Sequence, residues 1–262
     1  MLILLPPSEG KTTAAEGNPL SLDSLSAPSL NPTRLRAVNA LVKLSAGSPT
    51  RARKVLGLTP RQDNEVSRNQ QLLTAPAVAA ADVYRGVVYD SMGYRSLSAT
   101  HRRRLDRWVL ISSALWGCVR LNDRIPAYRL SADVTLPVVG PLRRLWRRPL
   151  AEVMPTLAGN RGPVLDLRSS GYANMWAPSE ALAERVLVGR VLQVMPNGSR
   201  RAVSHHNKAT KGRLVRDLAV CGDTPGSVAD LVKLVQSLGY VTDLTLRASG
   251  KPHRLDIVVA EL

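Results

Sequence analysis

Lys208 and Lys211 are the residues of this chain whose type and spacing point most directly to chemistry on an anion. They sit in Ser204-His205-His206-Asn207-Lys208-Ala209-Thr210-Lys211-Gly212-Arg213-Leu214-Val215-Arg216-Asp217-Leu218-Ala219, a stretch with helical patterning. On a helical projection Lys208, Lys211, Val215, Leu218 and Ala219 share one stripe. The apolar half of that stripe must face the core, so the same stripe carries both lysines toward the protein. A cation held there is costly unless it lines a cleft or meets an anion. Free backbone N–H groups in the first turn also favour anions, and His205 in that turn joins the candidate ligands. Arg213 and Arg216 fall on the other side, where solvent is expected.

Three further segments carry polar residues at the ends of what read as strands. Pro6-Pro7-Ser8-Glu9-Gly10-Lys11-Thr12 follows the apolar run Leu2-Ile3-Leu4-Leu5 and presents Ser8, Lys11 and Thr12 where α/β sheets place their ligands. Its Gly-Lys-Thr is not a Walker A loop, because Leu5 stands where the first glycine belongs and two prolines remove N–H donors. An ordinary turn with an exposed lysine is the competing reading. Beyond Trp108-Val109-Leu110-Ile111-Ser112-Ser113, a loop holds Arg120, Asp123, Tyr128 and Arg129. An arginine fixed by a strand end suits bidentate contact to phosphate or carboxylate; alternatively, Asp123 and Arg129 pair to hold the loop together. Asp166-Leu167-Arg168-Ser169-Ser170-Gly171-Tyr172 puts Asp166 and Arg168 on one side of a strand end, as a structural pair or as a site in which Asp166 orients Arg168.

Several chemistries find no support. His205 and His206 are adjacent, so they do not share a helix face, and neither H-x-x-x-H nor H-E-x-x-H occurs. No metal site and no cofactor are expected. Cys118 and Cys221 stand in unrelated contexts, which excludes a disulfide framework and fits a reducing compartment. No G-x-S-x-G elbow or G-x-G-x-x-G fingerprint occurs.

The elements that must position these residues are those of an α/β protein. Apolar runs at 2–5, 108–113, 164–167 and 186–192 read as buried strands, with two more at 241–246 and 255–260. Residues 83–89 read as a strand broken at Gly86. Residues 13–32 read as an irregular excursion, and 203–219 and 227–238 as helices. Within 33–75 the stripe Leu35, Val38, Leu41, Val42 and the turn Gly57-Leu58-Thr59-Pro60 give a helical hairpin near the N-terminus. With 262 residues, 44% of them apolar, the chain suits a single domain around a mixed, buried sheet. No run approaches a membrane span and no leader is evident, so a cytoplasmic protein without membrane partners is expected. Lys plus Arg number 36 against 20 Asp plus Glu, a net charge of +16 that concentrates anions at the surface, although GC-rich coding also favours arginine.

Taken together the segments resemble the YaaA family, the peroxide stress proteins. The resemblance rests on Leu4-Leu5-Pro6-Pro7-Ser8-Glu9-Gly10-Lys11-Thr12, Tyr84-Arg85-Gly86-Val87-Val88-Tyr89, Ser113-Ala114-Leu115-Trp116-Gly117 with residues 123–130, Asp166-Leu167-Arg168-Ser169, and residues 204–216. It spans nearly the whole chain in one order and looks like the actinobacterial branch. His206 stands where phenylalanine is expected, and Leu56-Gly57-Leu58 has one glycine where DNA-binding hairpins usually have two. The resemblance implies a fold peculiar to this family, with a helix-hairpin-helix element, a positively charged cleft, binding to DNA, and a role in limiting damage from peroxide and iron. Its segments bring Tyr89 and Ser113 into the candidate ligand set, beside Ser8, Lys11, Thr12, Arg120, Tyr128, Arg129, Arg168, Ser169 at the same strand end, His205, Lys208 and Lys211.

Two functions follow. In the first, the protein binds duplex DNA largely without regard to sequence, through phosphate contacts. In the second, it is an enzyme on a nucleotide-like or phosphorylated small molecule, with Lys208, Lys211 and Asp166 as its catalytic groups. One deep pocket joining the candidates favours the second reading.

Overall fold

The computed structural model describes residues 1–195, 197–201 and 204–259, with backbone alone for 204–206. Its strands are β1 Leu2–Leu5, β2 Val78–Ala79, β3 Val109–Ser113, β4 Gly117–Val119, β5 Arg124–Ile125, β6 Thr135–Leu136, β7 Gly140–Pro141, β8 Val164–Asp166, β9 Val186–Val194, β10 Arg200–Arg201, β11 Val241–Thr245 and β12 His253–Val259. Its α-helices are α1 Asn31–Ala46, α2 Pro49–Leu56, α3 Asp63–Gln70, α4 Ala80–Val83, α5 Val87–Met92, α6 Ala99–Trp108, α7 Leu142–Ala158, α8 Ser170–Ala173, α9 Glu180–Ala183, α10 Ser204–Cys221 and α11 Val228–Ser237.

The main sheet is mixed, in the order β11-β12-β9-β8-β1-β3-β4, with β10 paired to β9. The neighbours from β12 to β3 are parallel, and β11 and β4 close the edges antiparallel. Every residue of β1 and β3 is buried, as the unbroken apolar runs require of strands covered on both faces. Towards the β11 edge, β9 instead alternates buried and more exposed residues. The chain runs from β1 to β3 on one side, whereas β8 leads to β9 on the other. The carboxyl ends of β1 and β8 therefore flank a point where connections diverge, and a crevice opens there in such sheets.

Local readings need correction. Residues 83–89 are not a strand: α4 and α5 meet at Tyr84-Arg85-Gly86, and Gly86 has φ 116°, a conformation open mainly to glycine. The α1 stripe is displaced, leaving Leu35 exposed and burying Arg34 with Ala37, Val38, Leu41 and Leu44. The Arg34 guanidinium donates to the carbonyls of Trp116, Ala27, Ser26 and Cys118 and to the side chain of Asn31, which makes burial tolerable. The longer α1 precedes α2 and α3, which flank Gly57. The helix α7 gives little sequence warning, since Pro149 and Pro155 lie inside it. It buries Leu142, Trp146, Leu150, Met154 and Ala158 at four-residue spacing. The expected ends at Val203 and Ala260 lie outside the described residues. Among the described residues, no helix is long and apolar enough to cross a membrane.

Candidate functional site

A cavity of about 500 Å³ opens at the divergence between β1 and β8. Three elements build its walls. The loop after β1 contributes Pro6 to Gly10, the α4–α5 corner contributes Arg85 to Tyr89, and the loop after β8 meets α10 through Ser169, Asn207, Lys208 and Lys211. Ser8, Tyr89, Ser169, Lys208 and Lys211, read from separate parts of the sequence, thus line one concavity.

The two lysines differ. Lys211 is buried, and its Nζ donates to the Leu167 carbonyl at 3.0 Å, tying α10 to the end of β8. Burial lowers its pKa, and Asp166 opposes part of that shift. Lys208 is exposed, so its ammonium stays hydrated at the rim rather than pointing into the protein. Gly212 sets how closely α10 approaches α5, for a methyl there would stand 2.2 Å from the Val88 carbonyl oxygen and 3.0 Å from the Met92 nitrogen. Arg216 is not left to solvent: its guanidinium donates to the Met92 and Gly93 carbonyls and to the Ser96 hydroxyl, while Arg213 is exposed as expected.

A polar aromatic layer backs the wall. Tyr89 donates to the Pro6 carbonyl at 2.8 Å and stacks on Tyr84, with ring centroids 5.3 Å apart. The Tyr84 and Tyr128 hydroxyls are 2.9 Å apart, and the Ser113 and Tyr128 hydroxyls 2.7 Å. Ser113 also accepts from the Leu115 and Trp116 amides. Burial raises the pKa of Tyr84, Tyr89 and Tyr128, so these phenols stay neutral. Lys11 caps the layer, with its Nζ 4.3 Å from the Tyr128 ring centroid and donating to the Ser8 carbonyl at 2.8 Å and that of Glu9 at 3.4 Å. Burial, reinforced by Arg129, pulls the Lys11 ammonium down to about 7, against the opposing pull of Glu65 and Glu9. Lys11 therefore shapes the Ser8–Glu9 loop from behind and does not line the cavity.

A model of the peroxide stress protein YaaA family matches residues 1–245. A UPF0246 protein of Streptomyces coelicolor is 47% identical over 263 residues, covering 100% of both chains. A UPF0246 protein of Corynebacterium efficiens is 38% identical, covering 99% of this chain and 100% of its own. An uncharacterized protein of Campylobacter jejuni is 24% identical, covering 82% of this chain and 83% of its own. The chain belongs to the YaaA family.

Other nominated residues of this YaaA family member are taken up by partners within the chain. Arg168 is closed: it forms a bidentate pair with Asp166, at 2.9 and 2.7 Å, and donates to the Tyr172 and Trp176 carbonyls. The pair is nearly inaccessible, with Arg168 4% and Asp166 7% exposed, so neither side chain reaches a ligand in this arrangement. Asp123 does not pair with Arg129. It accepts from Ser26 and from the Arg120 amide, while Arg129 pairs with Glu9 at 2.8 Å. The Arg120 guanidinium donates to the Arg107 carbonyl, away from the cavity. Thr12 accepts from Arg85 at 3.0 Å. The side chain of His205 lies outside the described residues. Sequence reasoning missed Arg85, Tyr172 and Asn207 as lining residues although all three lie in the segments singled out. For Arg85 the lost signal was the glycine after it, which marks a corner between helices.

Proposed function

We propose that this YaaA-family peroxide stress protein holds a phosphate-bearing ligand in the cavity between β1, α5 and α10, and that the ligand is nucleic acid. The observation that carries the reading is the pair of exposed cations, Lys208 and Arg85, at the opening of the cavity where Ser8, Tyr89, Ser169 and Lys211 meet. Lys208 and Arg85 at the opening meet backbone phosphates, and Ser8 and Ser169 offer hydroxyls to the same oxygens. The α2–Gly57–α3 hairpin adds a second backbone contact, and binding shields DNA from iron-dependent peroxide damage. Such binding tolerates sequence and weakens steeply with salt. Anisotropy of a labelled duplex should give a slope of log K against log salt of about −3 to −6. No duplex binding at low salt, or binding indifferent to salt, contradicts the reading.

The cavity's size favours one alternative. About 500 Å³ is ample for a small molecule, and Lys211 beside it has a lowered pKa, as a general base or nucleophile requires. A phosphorylated small molecule as substrate is the second reading. Calorimetric binding of nucleoside phosphates, with no affinity for duplex, selects it over the first.

A further inference from the structure

The face formed by α1, α2 and the β6–β7 hairpin carries a second groove of about 540 Å³, separate from the cavity. Ala40, Leu44, Val138 and Val139 supply its apolar lining, Arg36, Lys43 and Arg51 its charge, and no acidic residue lines it. Arg36, Ala40 and Lys43 stand at i, i+4 and i+7, on one face of α1. Among the described residues none of the three cations forms an ion pair. Nearby, Arg53 is held by Asp63 and Arg34 by its ring of carbonyls. Three unpaired cations around an aliphatic groove repel one another and call for an anion with an apolar part.

The hairpin tip makes the second, independent observation. Val138 is 98% exposed and has φ 69°. The Val139 amide donates to the Pro137 carbonyl at 2.8 Å, closing a γ-turn of the strained hand around it. A β-branched residue in the left-handed region is strained, and full exposure returns nothing through burial. Glycine would relieve the strain at no cost in packing within the chain.

We infer that this groove docks an acidic segment of a protein partner, one apolar side chain seating against Val138 and Val139 between carboxylates that meet Arg36, Lys43 and Arg51. Charge complementarity selects an acidic occupant. The lining selects a peptide over nucleic acid, because aliphatic side chains make up much of the wall, whereas surfaces that take nucleic acid are more polar.

The test is a titration of a short fluorescent peptide, a leucine flanked by aspartate and glutamate, against its asparagine and glutamine counterpart. The acidic peptide should bind at least about tenfold more tightly than the amide version, and Lys43→Glu should remove that advantage. Val138→Gly should weaken the acidic peptide while raising the melting temperature, a combination that a purely structural valine does not give. Lys208→Glu, in the cavity that shares no lining residue with this groove, should leave the peptide unaffected. Equal affinity for the two peptides, or binding by neither, overturns the inference. It is overturned equally if Lys43→Glu abolishes duplex binding while sparing the peptide, which makes the groove a nucleic-acid contact.

Discussion

Lys11 shows how a residue that reads as a ligand can serve a site from behind it. Its ammonium is spent on the Ser8 and Glu9 carbonyls and the Tyr128 ring, so it fixes the loop that lines the cavity. Its lowered pKa has a sign that stability measurements can read. The unfolded lysine holds its proton to about pH 10.4, the folded one to about 7, so the unfolded chain binds more protons between those values. Stability should therefore rise with pH across that window, with the full penalty present below pH 7. Lys11→Met should flatten the rise in denaturant melts, and an unchanged slope would show that the lysine titrates normally. The Asp166–Arg168 pair makes a second prediction. Removing one partner strands a buried charge, so Arg168→Ala should cost about 3–5 kcal/mol of unfolding free energy in the same melts. Arg168→Lys should recover little of it, because lysine cannot form the fork. Sequence brought Asp166 and Arg168 to one side of a strand end. It could not separate pair from site, because the Tyr172 and Trp176 carbonyls that complete the arginine's bonding come from α8 and the segment after it.

At the scale of elements, α10 was the most legible part of the site, and only in part. Val215, Leu218 and Ala219 fixed its buried face, and Lys211 fell on that face as the spacing requires. Lys208 did not, because it lies nearer the helix start, where the stripe leaves the core and reaches the cavity rim. Arg216 defied the projection for another reason: the end of α5 packs close enough to offer it carbonyls. That approach depends on Gly212, and Gly212→Ala should destabilise the fold by about 1–3 kcal/mol through overpacking. The same substitution, by pushing α5 away, should weaken ligand binding in the cavity beyond its effect on stability. A tolerated alanine, with unchanged melting temperature, would contradict the packing. Strands β1, β3 and β8 were readable because buried parallel strands are continuous apolar runs, and β9 because its apolar residues are interrupted only at Gly189, Arg190 and Gln193. The α4–α5 corner and α7 were not, because helices with aromatic, β-branched or proline residues mimic strands or breaks until tertiary packing decides.

For the whole molecule, the charge of +16 was legible from composition but its distribution was not. Many arginines are consumed internally: Arg34, Arg168 and Arg185 each bond to several backbone carbonyls, and composition counts these with the free ones. Exposed cations remain along the whole chain, and the divergence of the sheet between β1 and β8 is where strand-end polar groups and a rim cation coincide. The most direct test of that assignment is the salt dependence of duplex binding for the native chain and for Lys208→Glu. If the cavity holds phosphate, the charge reversal should weaken binding about tenfold or more and reduce the magnitude of the salt slope by about 1 or more. Equal affinity and an unchanged slope would place the phosphate contacts elsewhere on the molecule.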